Sequence, residues 1–395
     1  MSGPRRRRPP AKKPSSDGVA PIPDPRRVAV DALVRIERDG AYANILLPKL
    51  LAKSGLVERD RAFATQLVYG TVRAQRSCDW FISRFALGAL DDTVRAALRV
   101  GTFQLRFLGT PPHAAVSATV EVVPRKARGL VNAVLRKVAE AEDAWPSDAV
   151  RLSYPDWVVD RLVADLGAEP AIAALTSMNG AATTTERDDG YTQDPASRWV
   201  VDAVGAKPGD RVLDLCAAPG GKATALAGDG ATVVAADVRA RRVGLVTGNA
   251  QRVGLTPDQL RAVVADGTRP PFADAAFDRV LVDAPCSGLG SLRRRPDARW
   301  RIDVEAPERL ARLQGRLLEA AAPLVAPGGT LTYSVCTLTT VETTAVADAF
   351  AAANPAWEVQ PAPGDPWIPW GSGALLLPHA AETDGMAVFT WRRPT

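Results

Sequence analysis

Apolar residues recur at spacings of three and four from Asp24 to about Ala144, a period that predicts helices. "PRRVAVDALVRIERDG" begins behind an Asp24-Pro25 start signal and stops at Gly40. "DDTVRAALRVGTFQLRFLG" and "ARGLVNAVLRKVAEAE" repeat the pattern, with hardly any alternating run between them, so residues 26–145 are assigned to a helical domain. "AWPSDAVRLSYPDWVVDRLVADLG" then supplies prolines and one short amphipathic helix, and "SMNGAATTTERDDGYTQD" is polar and turn-rich. Residues 146–193 are therefore expected to be a linker or docking segment. After Asp194 the rhythm becomes strand, glycine turn, helix. "RVLDLC", "TVVAADV", "RAVVADG", "FDRVLVDAP" and "TLTYSVCT" are short β-branched runs, separated by helical stretches such as "PERLARLQGRLLEAAAPLV". This alternation predicts that residues 194–395 form an α/β domain with a mostly parallel sheet. Ligands of such a sheet sit beyond the carboxyl ends of its strands.

Composition narrows the picture. A chain of 395 residues exceeds what one core usually serves, in keeping with two domains. No apolar run approaches the ~18 residues of a membrane span, and the N-terminus has no apolar stretch of a secretory signal, so the protein is expected in the cytoplasm. Residues 1–25 hold six basic residues against Asp17 and Asp24, four of the five net positive charges of the chain. They read as a disordered basic tail, able to add salt-sensitive phosphate attraction or merely solubility. Cys78, Cys216, Cys286 and Cys336 are scattered without CxxC pairing, and His113 and His379 lack metal-ligand spacing. Neither a zinc site nor a disulfide framework is expected, and the thiols should be reduced.

The candidate chemistry lies at the strand ends. The first strand runs into "LDLCAAPGGKAT", where Gly220 and Gly221 let backbone amides approach a ligand ahead of a helix N-terminus. The second ends in Asp237, at the interval where an acidic side chain meets a ribose diol, and the third in Asp266, suited to an adenine amino group. Together they favour an adenosine ligand. The fourth and fifth end in "VDAPCSGLG" and "YSVCTLT", placing Asp283, Cys286 and Cys336 on the same rim. Free cysteines are often just small buried hydrophobes, but two at successive strand termini favour catalysis. Methylation of cytosine fits such a pair. Carbon 5 becomes nucleophilic toward the sulfonium methyl of S-adenosylmethionine only after a thiolate adds to carbon 6, and an acid against N3 and the exocyclic amine, here Asp283, would stabilise the adduct.

"VLDLCAAPGGKAT", "VLVDAPCSGLGSLRRRPDARW", "PGGTLTYSVCT" and "LPHAAETDGM" resemble the successive signatures of RNA cytosine-5 methyltransferases of the NOL1/NOP2/Sun family. "DRAFATQLVYGTVR" and "GLVNAVLRKV" resemble the NusB-like domain that precedes the catalytic domain in bacterial ribosomal RNA members. The resemblance implies a Rossmann-like S-adenosylmethionine-dependent methyltransferase domain behind an all-α RNA-binding domain. It implies Cys336 as nucleophile and Cys286 as the release cysteine. Cys216, Ala217, Ala218, Pro219, Gly220, Gly221, Lys222, Asp237, Asp266 and Asp283 would line the cofactor site. The implied substrate is 16S ribosomal RNA or an assembling small subunit, met by a monomer with no DNA or membrane partner. A non-catalytic assembly factor, or a methyltransferase for transfer RNA or 23S ribosomal RNA, are the competing readings.

Two departures from the family pattern stand out. The nucleophile motif reads Val335-Cys336-Thr337 rather than Thr-Cys-Ser, and the region between Asp156 and Asp194 is shorter than the usual RNA-contacting subdomain. RNA contact is therefore expected from "SLRRRPDARWR", in which Arg293, Arg294, Arg295, Arg299 and Arg301 accompany Trp300.

Overall fold

The computed structural model describes residues 24–182 and 185–395. The expected disordered tail lies, up to position 23, outside the described residues. The helical domain is built from Pro25–Arg38, Ala43–Lys53, Glu58–Arg73, Gln75–Ser83, Asp92–Arg106, Pro112–Glu121 and Arg128–Glu140. Its first helix starts as its sequence dictates: Asp24 accepts from the Arg26 amide at 2.7 Å, and Pro25 stands in the first turn, where no N–H is needed. Asp92–Arg106 is buried on nearly every side, and Leu98 and Phe103 pack with Val30, Leu67, Phe81 and Leu135 in one core.

Among the described residues the C-terminal half is built on a sheet of nine strands: β1 Arg211–Asp214, β2 Thr232–Asp237, β3 Leu260–Val264, β4 Phe277–Asp283, β5 Val325–Val335, β6 Glu358–Val359, β7 Ile368–Trp370, β8 Gly373–Leu376 and β9 Met386–Arg392. Their order is β3-β2-β1-β4-β5-β9-β8-β7, with β6 on β9. The five strands expected from the sequence run parallel, and β6 to β9 add an antiparallel extension that the sequence reading did not anticipate. Chain order reverses between β1 and β4, and the crevice beyond their carboxyl ends is where a doubly wound sheet binds ligands.

Two expectations are corrected. The segment expected to be a linker or docking segment with one short helix carries three, Asp148–Leu152, Asp156–Leu166 and Ala168–Ser177, and it docks rather than links. Leu152, Tyr154, Val158, Leu162 and Leu175 are buried in the same core as Leu213, Val280 and Leu331 of the sheet. Pro155 stands immediately before Asp156–Leu166, at its N-terminal cap position.

The arginine-rich segment is the second correction, because it is a wedge between the two halves rather than a loop open to RNA. Arg299 is 0% exposed, lies 3.9 Å from the Tyr154 ring and donates to Ser153 O at 3.1 Å and Asn179 Oδ1 at 2.9 Å. The Trp300 indole donates to Val72 O at 3.0 Å, Arg301 to Gly40 O at 2.8 Å and to Ala41 O, and buried Arg293 to Ala181 O at 3.0 Å and to Glu382 O. Val72 O belongs to the last turn of Glu58–Arg73, where carbonyls lack partners within the helix and attract donors. Arg294 is held by Asp194 at 2.6 Å and Asp384 at 3.1 Å, which leaves Arg295 as the exposed guanidinium of the wedge.

Candidate active site

Beyond β1 the chain turns through Cys216 to Gly220 and enters the helix Gly221–Gly228. Gly220 has φ +107°, and a Cβ there would sit 3.2 Å from the Val246 backbone, so the turn closes onto its neighbour only with glycine. The turn is held by its carbonyls: Arg242 donates to Ala218 O and Asn249 to Pro219 O at 2.9 Å. A third clamp comes from the former linker, where Arg187 donates to Gly221 O at 2.9 Å and to Thr224 Oγ1 at 3.1 Å. Asp237 is buried at the end of β2, its carboxylate fixed by the Arg239 amide at 3.0 Å. Asp266, beyond β3, accepts from the Thr268 amide at 2.9 Å and hydroxyl at 2.7 Å, and these bonds hold its pKa below the ordinary carboxylate value.

The chemistry-bearing half lies beyond β4 and β5. These strands pair up to Asp283 and Ser334, and the Ala284 amide extends the ladder to Ser334 O at 2.9 Å. The next turns bring Cys286 Sγ within 3.4 Å of Cys336 Sγ. Gly290 donates to Cys336 O at 3.0 Å and would hold a Cβ 2.4 Å from Gly385 O, so the loop after Cys286 reaches the Cys336 backbone because that position lacks a side chain. Ser291 Oγ approaches the Cys336 sulfur at 3.7 Å.

Electrostatics separates the two thiols. The Cys286 hydrogen bond, seconded by Ser291 and the Lys222 charge, lowers the Cys336 pKa against the cost of burial. The same contact, then burial, then the charge on Cys336, pushes Cys286 well up. Of the two, Cys336 is therefore the thiol that gives up its proton more readily. Burial opposes the charge of Lys222, but Asp283, 2.7 Å from its ammonium, outweighs this and raises its pKa. Cys216 differs from the pair: burial and the charges of Asp214 and Asp283 push its thiol far up.

A cavity of about 710 Å³ joins these groups, with Asp237 and Asp266 toward one side and Cys286 and Cys336 toward the other. Cys216, Ala218, Pro219, Lys222 and Asp283 also face it, whereas Ala217, Gly220 and Gly221, expected there from the sequence, are not among its lining residues. Among the described residues no cluster of metal-ligating side chains occurs, and no helix is long and apolar enough to cross a membrane.

Three residues of this region were missed from sequence. Arg187 was hidden in a stretch read as linker. Glu342 follows the Cys336 motif without belonging to any recognised signature. Asp214 is buried at the last position of β1, and neither of its oxygens makes a hydrogen bond of ordinary geometry, although the Cys216 amide faces it. Burial, and then the charge of Asp283, raise Asp214 to about 7. An aspartate closing a β-branched run was the one available signal, and it resembles many structural aspartates.

A family model described as 16S rRNA methyltransferase RsmB/F matches residues 202–390, and one described as NusB family matches residues 23–140. The chain is 37% identical to ribosomal RNA small subunit methyltransferase B of Thermus thermophilus, across 93% of this chain and 98% of that protein. It is 31% identical to the protein of the same name from Yersinia pseudotuberculosis, across 91% of this chain and 96% of the relative. Among solved structures, PH0851 shares its fold with a TM-score of 0.76 at 22% identity, covering 94% of this chain and 99% of the other. The 37% identity to the Thermus thermophilus protein along nearly the full length of both chains, with the two family models, means that this protein belongs to the RsmB/F family of 16S rRNA methyltransferases, with a NusB-family domain ahead of the methyltransferase domain.

Proposed function

We propose that this chain methylates carbon 5 of a cytosine in 16S ribosomal RNA, with S-adenosyl-L-methionine as methyl donor, Cys336 as nucleophile and Cys286 as the residue that completes release. The observation that carries this reading is the 3.4 Å approach of two unlike thiols in one cavity with the Lys222–Asp283 pair. The names of the relatives, ribosomal RNA small subunit methyltransferases, support the RNA class.

The residues suit the donor. The cavity is of small-ligand size, and it opens beside two carboxylates whose remaining lone pairs are available to ribose hydroxyls (Asp237) and to an adenine amino group (Asp266). Cys216, Ala218, Pro219 and Lys222 of the turn after β1 line the cavity beside them. When bound, S-adenosyl-L-methionine supplies an electrophilic methyl group.

The Cys336 thiolate adds to carbon 6 of the base, forming an S–C6 bond and moving the C5–C6 electron pair to carbon 5, which would take the methyl group as the S–CH3 bond of the donor breaks and its sulfur leaves as a neutral thioether. Asp283, anchored by Lys222, is assigned to N3 and the exocyclic amine. Once Cys336 is a neutral thioether, its hydrogen bond and its charge no longer raise the pKa of Cys286. Cys286 then loses its proton to water and accepts the proton from carbon 5. The C–H electron pair restores the C5–C6 double bond, and the S–C6 bond breaks to return the thiolate to Cys336. The two thiols thus ionise in turn.

We take the chain to act as a monomer in the cytoplasm, and its four cysteines, scattered without CxxC pairing, support a reducing setting. Incubation with RNA and the methyl donor tests the roles. Cys286→Ala is expected to accumulate a covalent protein–RNA complex on denaturing gels, and Cys336→Ala to form none. Accumulation in the Cys336 variant instead would assign the attack to Cys286, as in DNA cytosine-5 methyltransferases. Bisulfite sequencing of ribosomal RNA from a deletion strain locates the base, and an unchanged methylation pattern would remove the assignment to ribosomal RNA.

A further inference from the structure

The thiols are 50 positions apart in sequence, and no backbone hydrogen bond joins the Cys286 peptide to the Cys336 peptide directly. Behind them lies a buried carboxyl group, that of Glu342. Glu342 ends the short turn Thr340–Glu342, and its side chain is 0% exposed. Its Oε1 accepts from the Ser287 amide at 2.8 Å and from Gln314 Nε2 at 3.2 Å. Its Oε2 accepts from Thr337 Oγ1 at 3.1 Å, from Thr339 Oγ1 at 3.0 Å and from the Ser287 hydroxyl. A carboxylate has about four lone-pair sites, and here five neutral donors converge on them.

The identity of the donors gives the network its meaning. Ser287 directly follows Cys286, and Thr337 directly follows Cys336. Their hydroxyls also meet each other at 2.9 Å. Gln314 reaches past the carboxylate to Pro285 O at 2.9 Å, so Cys286 is held on both sides. Glu342 is itself pinned by the Tyr333 hydroxyl, which donates to its carbonyl at 2.6 Å from inside β5.

We propose that Glu342 is a positioning residue: its carboxylate gathers the residue after each cysteine onto one buried anion, and so sets the register in which Cys336 attacks and Cys286 completes release. The proposal rests on the reading of those thiols as the working pair. It separates geometry from binding, because none of the groups bonded to Glu342 lies at the ends of β1, β2 or β3. A shift of the order of 1 Å between reacting groups costs roughly 100-fold in rate, so a clamp of this kind should act on turnover rather than on cofactor affinity.

Dibromobimane tests it without RNA or methyl donor, since it fluoresces on bridging two thiols, forming two thioethers and releasing two bromides. Peptide mass spectrometry identifies the bridged pair. In Glu342→Gln, whose amide nitrogen meets donors where an oxygen accepted, bridging of Cys286 to Cys336 should slow about tenfold and single-turnover methylation fall about 100-fold. Affinity for S-adenosyl-L-methionine, by calorimetry, should stay within about twofold. Bridging at the wild-type rate overturns the proposal, and so does loss of bridging together with cofactor binding, which would report general disruption. Should Glu342→Gln fail to fold, Thr337→Val against Thr337→Ser decides: slow bridging in valine restored by serine supports the clamp, and equal rates overturn it. If bridging responds as expected while wild-type protein does not methylate RNA, the clamp stands and the methyltransfer reading falls.

Discussion

At the ends of β1 to β3 the cavity wall is fixed through main chain: Arg242, Asn249 and Arg187 grip the carbonyls of Ala218, Pro219 and Gly221, and Asp237 and Asp266 are oriented by amides two residues ahead. At the ends of β4 and β5 it is fixed through side chains, with Ser287, Thr337, Thr339 and Gln314 gathered on Glu342 behind the thiols. A ligand that is held by many contacts tolerates small errors in any one of them. Two sulfurs that exchange a charge do not, and the second half is accordingly buried and bonded in more detail. Lys222 spans both halves, rooted in the glycine turn and bonded to Asp283.

The comparison breaks most severely at Cys336. Cys336→Ala should lower single-turnover methylation by at least ~10⁴-fold, the scale of a lost covalent nucleophile, while calorimetry finds cofactor affinity unchanged. A matching loss of affinity would mean that the halves are not separable. Lys222→Met should cost roughly 100-fold in turnover. Because the Lys222 charge lowers the Cys336 pKa, its removal should also move the acid limb of the rate profile to higher pH. A profile that stays in place would confine Lys222 to the cofactor half.

Asp214 lies beneath the seam, and its effect reads out in stability. An unfolded aspartate titrates near ~4, and the folded value is about 7, so the folded protein holds this proton more tightly. Its contribution is fully present below the unfolded value and is lost as pH rises toward 7. Asp214→Asn should therefore be more stable than wild type at pH ~8 by on the order of 3 kcal/mol, with the gap closing below pH ~4. Melting curves at the two pH values measure this, and a constant gap would remove Asp214 as its source.

In the cofactor half, Asp237→Ala should weaken S-adenosyl-L-methionine binding by about 10- to 100-fold and leave the bridging of Cys286 to Cys336 untouched. Unchanged affinity by calorimetry would take Asp237 out of the site. The smallest effect belongs to the rim. Arg295 is exposed there, and Arg295→Ala should weaken RNA binding by a few fold and lower the salt slope by about one. A loss of turnover at saturating RNA would show instead that it orients the base.

The strand ends were legible because each is a β-branched run that stops at a residue able to do chemistry, so Asp237, Asp266, Asp283, Cys286 and Cys336 could be placed on one rim before any fold was seen. The wedge from Ser291 to Arg301 was misread for an equally definite reason. Its charges are local in sequence, but the acceptors that consume them, among them Val72 O, Gly40 O and Ser153 O, belong to remote helix ends. Of the helices of residues 148–177 only one was expected, because their apolar faces are short and are completed only by one another and by the core of the sheet. The antiparallel strands β6 to β8 were too short to carry a pattern.

By itself the sequence determined that a helical period gives way to a strand period, the parallel core, and the residues that end its strands, since period and turn chemistry are properties of neighbouring residues. The tertiary structure alone decided which arginines face solvent, which carboxylates are buried, and how near two thiols stand. Charge state and separation depend on desolvation and on partners supplied from distant segments: Cys336 is acidified by Cys286, and both are set by a glutamate that no local pattern distinguishes.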